Sequence, residues 1–198
     1  MSCLCSECDI STCERKKSLK KRVQGKKNRS TGRYIEDKLL KLLKSWDLPA
    51  EKTIASGSMK NVSTRVKGQE YLFTSDLYTE GIVKSNRVRI ESKKRTYNAF
   101  KKYYELVNDC YSYLHIKNFC YIFNQSAFYN LIKGKHYGIG ADKDDKQHKS
   151  LHNFFDQDNA GIVTLISPDP NSNKYLPFLF CITEELFNQI IEERKRGN

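Results

Sequence analysis

The chain has 198 residues, of which 38% are hydrophobic, so it can bury one core of ordinary size and still spare residues for tails or an insertion. Its formal net charge of +12 and sequence pI of about 9.3 favour a polyanionic partner, namely DNA, RNA or an anionic membrane surface. No apolar run reaches the roughly 18 residues of a membrane-spanning helix, and the first residues lack the apolar segment of a secretory signal. We therefore expect one main domain in an intracellular, cytoplasmic protein that does not enter a membrane.

The seven cysteines do not indicate a disulfide framework. Their number is odd, and Cys110, Cys120 and Cys181 lie in apolar stretches, where a thiol packs as a small hydrophobic group. The others follow the pattern C-x-C-x2-C-x4-C near the start of the chain: Cys3, Cys5, Cys8 and Cys13. These thiols can hold a structural zinc ion, but the spacing differs from paired C-x2-C knuckles, so loose reduced thiols are the alternative.

A basic segment precedes the first apolar pattern. Residues 14–33 contain almost no apolar side chain and are rich in lysine and arginine, so they cannot bury enough surface to fold alone. We predict a flexible, Cys-containing and basic arm over residues 1–31. Lys26, Lys27 and Arg29 are expected to contact nucleic-acid phosphates, with an affinity that falls steeply with salt. A solvated tail without a specific role is the alternative.

The predicted elements begin with a helix that Ser30 or Thr31 can cap and Pro49 ends. Its apolar stripe is formed by Ile35, Leu39, Leu40, Leu42, Leu43 and Trp46. Strands are predicted next, over residues 52–56, 71–78 and 87–93. Turns follow the first strand at Gly57 and Ser58 and the second at Gly81 and Asn86. Thr96 caps a second helix with a core stripe of Tyr97, Phe100, Tyr104, Val107 and Tyr111.

The second half of the chain is less regular. Residues 119–128 are either a strand or a buried helical turn, and residues 134–159 have the composition of an exposed insertion. Two apolar runs, 161–167 and 175–182, predict strands separated by the turn sequence SPDPNSNK. Thr183 caps a last amphipathic helix. The predicted order is helix, three strands, helix, insertion, two strands and helix, which is an α/β fold.

Four charged residues occupy positions where an isolated charge would be unfavourable or where several charges are expected to lie close together. Glu36 borders the buried stripe of the first helix, where an uncompensated carboxylate is costly, so a positive group should meet it. Glu91 and Lys93 are two residues apart on one predicted strand and so share a face of the sheet. If that strand pairs with the preceding one, Asp76 comes close to Glu91.

Neighbouring carboxylates repel one another unless a divalent cation neutralises them. Mg²⁺ suits such a site because it takes hard oxygen ligands and keeps several waters, and Mn²⁺ is expected to substitute for it. The ion would polarise a phosphoryl oxygen and activate water, while Lys93 orients that water or stabilises charge on the phosphate, as phosphodiester hydrolysis requires. The alternative is that Glu91 and Lys93 form a solvated strand edge and Glu36 is an ordinary border residue.

The order of the motifs favours hydrolysis over that alternative. The segments GRYIEDKLLKLLKSW, ASGS, SDL and RIESKKR resemble the archaeal Holliday-junction resolvases and their phage relatives within the PD-(D/E)xK nuclease superfamily. Gly32, before the helix glutamate, belongs to the same pattern. The resemblance covers residues 32–108, with a weaker match from Gly161 onward. Ser75 replaces the motif's proline, and the loop 59–69 is longer than in compact members.

The resemblance implies a restriction-endonuclease-like mixed β-sheet core flanked by helices, in a nuclease domain over residues 32–198 with an insertion around 115–159. It implies that Asp76, Glu91 and the backbone carbonyl of Ser92 hold the metal and that Glu36 completes the site. Lys93 would be the catalytic lysine and Ser58 an auxiliary residue near the scissile phosphate. The implied DNA contacts near the site are Arg33, Lys94 and Arg95.

Members of this family are two-fold dimers that nick two opposed strands of a four-way DNA junction. Our first hypothesis is therefore a homodimeric, metal-dependent, structure-selective DNA endonuclease acting in recombination or repair, as in phage or mobile elements. The second hypothesis keeps the chemistry but changes the substrate, giving a nicking, restriction or repair endonuclease on duplex DNA. The third is a non-catalytic, basic nucleic-acid-binding protein.

Overall fold

A computed structural model describes residues 14–53, 75–83, 86–109, 113–117, 120–135, 141–143, 155 and 161–196. In chain order its elements are α1 (Glu14–Ser45), β1 (Ala50–Lys52), β2 (Leu77–Val83), β3 (Asn86–Lys94), α2 (Tyr97–Asp109), β4 (Tyr113–Ile116), β5 (Cys120–Asn124), α3 (Gln125–Ile132), β6 (Ala141–Lys143), β7 (Ile162–Ile166), β8 (Leu179–Thr183) and α4 (Glu184–Arg196). The chain is thus a mixed α/β protein, which agrees with the predicted fold class at this level.

The strands within the described ranges form one eight-stranded sheet in the order β1-β2-β3-β7-β8-β5-β4-β6. The pairs β3–β7 and β4–β6 are parallel, and the other neighbours are antiparallel. Every residue of β7 is buried. A continuous apolar run is expected for a strand that is covered on both faces.

Two hydrophobic clusters cover the two faces of this mixed sheet. Alternate residues of β8 belong to different clusters, with Phe180 and Ile182 in one and Leu179 and Cys181 in the other. The first cluster contains the buried side chains of α1, α3 and α4, while the second contains those of α2. Because successive side chains of a strand point to opposite faces, the helices flank the sheet on both sides.

Helix α1 is much longer than the apolar pattern predicts. It begins at Glu14, so the predicted start at Ser30 or Thr31 was wrong, and residues 14–31 of the predicted basic arm lie in this helix. The hydroxyl of Thr31 donates to the carbonyl of Lys27 at 2.9 Å, a bond made inside a helix. Lysine, arginine and glutamine are good helix formers, and an apolar stripe marks only the part of a helix that packs.

Most of the first two predicted strands, residues 54–56 and 71–74, lies outside the described residues. β1 ends at Lys52, where the first predicted strand begins, and β2 begins at Leu77, near the end of the second. The predicted turn at Gly81 and Asn86 was wrong, because both residues lie in strands. Gly81 has a φ of 85°, and the register between β2 and β3 shifts around it. A glycine with positive φ permits such a bulge within a strand, which sequence alone does not distinguish from a turn.

The later elements follow the sequence more closely. β3, α2, β7, β8 and α4 lie where strands and helices are predicted. Residues 119–128 contain both alternatives, since β5 is followed directly by α3, whose first turn is capped by the Asn124 side chain accepting from Ala127 N at 2.8 Å. β4 was not predicted. Because β5 pairs with β8, part of the region predicted as an insertion belongs to the sheet itself.

Thr183 caps α4 as predicted, and its hydroxyl oxygen accepts a hydrogen bond from Leu186 N at 3.2 Å. Thr183→Ala removes the acceptor and is expected to lower the free energy of unfolding by about 1 kcal/mol, measured by chemical denaturation. Thr183→Ser retains the hydroxyl and is the matched control. Equal losses in both variants would show that the hydrogen bond contributes nothing.

Cys120 and Cys181 are buried free thiols, as expected for small hydrophobic groups. Burial raises the pKa of Cys120 to about 12 and also raises that of Cys181, so both are inert neutral side chains at physiological pH. Cys110 and the four N-terminal cysteines lie outside the described residues. Within the parts of the chain that the structure describes, no helix is both long and apolar enough to cross a membrane.

Candidate active site

Asp76 lies beside β3 at the start of β2. Its backbone N–H donates to the carbonyl of Ile90 at 3.2 Å, and its side-chain Oδ2 accepts from the backbone N–H of Ser92 at 2.8 Å. The antiparallel pairing of Leu77 with Ile90 places Asp76 opposite Glu91 on the neighbouring strand. The hairpin expected to bring these two carboxylates together is therefore present.

Glu36 meets a positive group, as its position on α1 predicts, and that group is Lys52 of β1. The Lys52 ammonium lies 3.6 Å from Glu36 Oε2 and 2.7 Å from Asp37 Oδ1. The Glu36 side chain is 16% exposed, whereas that of Asp37 is 57% exposed. A single lysine thus offsets the charge of the more buried carboxylate and, through its hydrogen bond, lowers the pKa of Asp37.

Lys93 forms a close ion pair with Glu91 on the same strand. Both side chains are largely buried, with Lys93 27% and Glu91 10% exposed. The strand beneath them is fixed by Thr164 of β7, whose hydroxyl donates to the Ser92 hydroxyl at 3.0 Å. The ammonium is therefore held beside a carboxylate inside the protein instead of extending into solvent, which argues against a solvated strand edge.

The Asp76 carboxyl group has a strongly perturbed pKa. Its pKa is raised to about 7, first by burial, then by the negative charge of Glu91 and to a smaller degree by that of Glu36. The hydrogen bond from Ser92 N and the positive charge of Lys93 act in the opposite direction. Perturbation by burial together with specific neighbouring charges is characteristic of functional sites.

The backbone conformation at Ser75, directly before Asp76, is one that proline cannot adopt. Its φ of 69° lies in the left-handed region, whereas the proline ring fixes φ near −65°. Ser75 is buried, and its carbonyl accepts from the Thr53 hydroxyl at 2.7 Å. A non-glycine residue with this conformation is strained and persists only where its surroundings hold it. The Thr53–Ser75 hydrogen bond and the positive φ of Ser75 therefore position the backbone of Asp76.

One cleft of about 290 Å³ contains all four residues singled out from the sequence, since Glu36, Asp76, Glu91 and Lys93 line it together with Ser92. Gly32 also lines this cleft, one helical turn from Glu36, and a Cβ at Gly32 would lie 3.9 Å from Glu36 Oε1. The missing side chain keeps the opening beside the carboxylate wide. The predicted constellation is therefore a single open site between α1 and β3.

The donor set of this cleft fits magnesium. It offers hard carboxylate oxygens, and the pKa of Asp76 is raised by burial and by the negative charge of Glu91, both of which a bound cation would offset. Over the described ranges, no three His, Cys, Asp or Glu side chains are grouped as a ready-made ligand cage. Lys52 and Lys93 each form an ion pair with one of the two glutamates of the cleft. Magnesium commonly uses only one or two protein carboxylates and completes its shell with water.

The described basic residues predicted to contact DNA lie on α1 and at the end of β3. On α1, Lys26, Lys27, Arg29 and Arg33 are exposed. Lys94 lines the cleft, while Arg95 is half-buried and its backbone N–H donates to the Ile166 carbonyl at 2.8 Å. Ser58 and the adjacent Gly57 lie outside the described residues, as do the cysteines of the predicted zinc motif.

Sequence reasoning missed Lys52, which pairs with Glu36, and it missed Asn28 and Thr31 of α1, which line the cleft. The charged border position of Glu36 shows that a cation is needed, but many lysines could supply it. Only the pairing of β1 with β2 places Lys52 next to α1. Asn28 could have been found from its spacing, because it lies four residues before Gly32 and eight before Glu36 and so shares their helix face, and Thr31 lies three residues after Asn28.

No protein-family model matches this chain, and the comparison with curated proteins gives no match either. A function therefore has to be argued from the cleft, the charge distribution and the resemblance of the sequence motifs.

Proposed function

We propose that the protein is a magnesium-dependent, structure-selective DNA endonuclease of the PD-(D/E)xK type with a restriction-endonuclease-like core. The observation that carries this proposal is the convergence of Glu36, Asp76, Glu91 and Lys93 on one cleft. These residues come from α1, from the position just before β2 and from β3, and they are distant in the sequence. If Glu91 and Lys93 formed a solvated strand edge and Glu36 were an ordinary helix border residue, they would not be expected to line one cleft.

Each residue has a definite part in phosphodiester hydrolysis. Asp76 and Glu91 would hold Mg²⁺ together with the backbone carbonyl of Ser92, and Glu36 would complete the site. When bound, the ion supplies Lewis-acid chemistry toward a phosphate oxygen. Lys93 is placed to orient the attacking water or to stabilise charge on the phosphate, because its ammonium is held at the metal-binding carboxylate.

Lys52 is a positioning residue in this scheme. By pairing with Glu36 and Asp37 it offsets negative charge at the edge of the site and fixes the Glu36 side chain relative to β1. It thus limits how much repulsion the three carboxylates experience before a cation binds.

The charge distribution supports DNA as the substrate. The net charge is +12, and α1 carries a run of exposed basic side chains beyond its packed half, ending at the cleft. Such a helix tracks phosphates without reading sequence. A four-way junction presents two equivalent scissile strands, so paired nicking implies a two-fold homodimer.

The test is a cleavage assay on labelled four-way junction, linear duplex and single-stranded DNA, with Mg²⁺, with Mn²⁺ or with chelator. Symmetric nicks in the junction that require a divalent ion are expected. Equal cutting of linear duplex would favour a nicking, restriction or repair endonuclease. Binding without products under all conditions would leave a non-catalytic nucleic-acid-binding protein.

The exposed half of α1 is predicted to add salt-dependent affinity. The triple change of Lys26, Lys27 and Arg29 to Ala should weaken junction binding about tenfold at moderate salt, because three phosphate contacts are lost. The slope of log K against log salt should decrease by about 3. Alanine favours helix formation, so α1 itself should persist.

Fluorescence anisotropy at several salt concentrations measures both quantities. Lys101→Ala on α2 is the charge control, since Lys101 is exposed and, within the described part of the chain, contacts Glu105 at 3.4 Å and the Tyr97 ring on its own helix. An unchanged slope in the triple variant would show that the exposed half of α1 does not contact phosphates.

A further inference from the structure

Tyr34 is an exposed aromatic residue on an otherwise polar part of α1. It is 56% exposed, and its ring lies 5.8 Å from that of Tyr175 with an interplanar angle of 37°. It flanks the buried position Ile35 on the side opposite Glu36, because successive helical residues are about 100° apart. Neither its exposure nor its orientation is that of a core residue.

The turn that carries Tyr175 is closed by several hydrogen bonds. It lies at the end of a turn whose Asp169 side chain accepts from Asn171 N at 2.9 Å and from the Ser172 hydroxyl at 2.8 Å. The flanking backbone is closed by Leu176 N donating to the Ser167 carbonyl at 3.0 Å. The backbone that carries the Tyr175 ring is therefore held by hydrogen bonds of its own turn, which do not involve Tyr34.

Two ammonium groups lie over the Tyr175 ring. Lys38 Nζ is 5.8 Å and Lys94 Nζ 5.7 Å from the ring centroid. Lys38 is one helical turn after Tyr34, while Lys94 comes from the end of β3, so the cations converge from different elements. Aromatic faces combined with cations are the chemistry that holds a nucleobase and its phosphate.

This cluster is connected to the candidate active site. Lys94 lines the catalytic cleft and also covers Tyr175, and it directly follows Lys93. Tyr34 directly precedes Ile35, which also lines the cleft. A DNA strand whose scissile phosphate lies in the cleft would thus have its next nucleotide within reach of the two tyrosine rings.

We propose that Tyr34 and Tyr175, with Lys38 and Lys94, form a platform on which an unpaired base of the DNA strand stacks beside the scissile phosphate. The proposal rests on the proposed nuclease function and specifies its substrate, since a fully paired duplex offers no free base. Branch points and strand ends do offer one. Selectivity for branched DNA would then come from base stacking as well as from the geometry of a dimer.

The experiment uses the full chain with chelator, so that no strand is cut, and branched DNA carrying 2-aminopurine at an unpaired branch-point position. Binding to the wild-type protein is expected to change the fluorescence of this base by stacking. Tyr34→Ala should abolish the change and weaken binding about tenfold, whereas Tyr34→Trp should retain both. A paired duplex with internal 2-aminopurine should bind both proteins alike.

Val23→Ala is the matched control, because Val23 is on the same helix and 66% exposed but far from the platform. A Tyr34→Ala variant that behaves like Val23→Ala, or a wild-type protein that leaves the fluorescence unchanged, overturns the platform. Cleavage of branched DNA in Mg²⁺, measured in parallel, separates the two proposals. If branched DNA is cut but the fluorescence does not change, the nuclease proposal stands and the platform is contradicted. If the fluorescence changes in a Tyr34-dependent way but no DNA is cut, the platform stands and the nuclease proposal is contradicted.

Discussion

Asp76→Asn is expected to reduce magnesium-dependent cleavage of branched DNA about a thousandfold while leaving DNA binding nearly unchanged. Asparagine has almost the same shape, and its Oδ1 can still accept the hydrogen bond from Ser92 N. What is lost is the negative charge that would hold the cation. Single-turnover cleavage rates and binding constants measured on the same substrate separate these two effects.

Lys93→Ala should cause a comparable loss for a different reason, because it removes the ammonium beside Glu91 without removing a metal ligand. Raising the Mg²⁺ concentration should therefore partly rescue Asp76→Asn but not Lys93→Ala. Lys101→Ala is again the control for loss of a positive charge. Full cleavage by both active-site variants would dispose of the proposed site, and rescue of Lys93→Ala by Mg²⁺ would mean that Lys93 acts only through metal affinity.

The local part of the site could be predicted from the sequence because it obeys short-range periodicities. Glu91 and Lys93 share a strand face through a spacing of two, and Glu36 borders a helical stripe that starts at Ile35. The proximity of Asp76 to Glu91 needed one further assumption, that consecutive strands pair, and the register of β2 with β3 satisfies it.

The parts that could not be predicted depend on contacts between distant residues or on backbone conformation. Lys52 reaches Glu36 only because β1 joins the sheet beside β2. The positive φ of Ser75 is imposed by the buried turn around it and leaves no sign in the sequence. The exposed half of α1 lacks an apolar stripe, so periodicity could not reveal that it continues the helix.

Metal-free wild-type protein is expected to lose stability as pH rises from about 4 to 7, because of Asp76. Its pKa is about 7 in the folded protein and 3.8 in the absence of the fold, so the folded state retains a proton that the unfolded state has already released. The stabilising effect of that proton is complete below pH 4, decreases through this window, and is absent above pH 7. About three pKa units correspond to a loss on the order of 4 kcal/mol, with partial solvation of the site reducing it.

Asp76→Asn removes this dependence and should be more stable than the wild type by about 3 kcal/mol at pH 8 in chelator, but not at pH 4. The variant that lacks cleavage would thus be the more stable protein, as expected when function requires an unfavourable buried charge. Urea denaturation at several pH values measures the difference. Asp47→Asn is the matched control, because Asp47 is 92% exposed and its φ of 60° is one that asparagine also tolerates.

Magnesium should stabilise the folded protein, whereas rising pH destabilises it, and this effect should require Asp76. Because the ion binds the ionised carboxylate, it should raise the unfolding free energy of the wild type more at pH 8 than at pH 5, by an amount that grows with the logarithm of its concentration. Asp76→Asn should lose most of this response, and Asp47→Asn should keep it. If Asp76→Asn were no more stable than the wild type at pH 8, the ionised Asp76 carboxylate would not be destabilising the fold. If Mg²⁺ stabilised the wild type and Asp76→Asn equally, the ion would bind elsewhere.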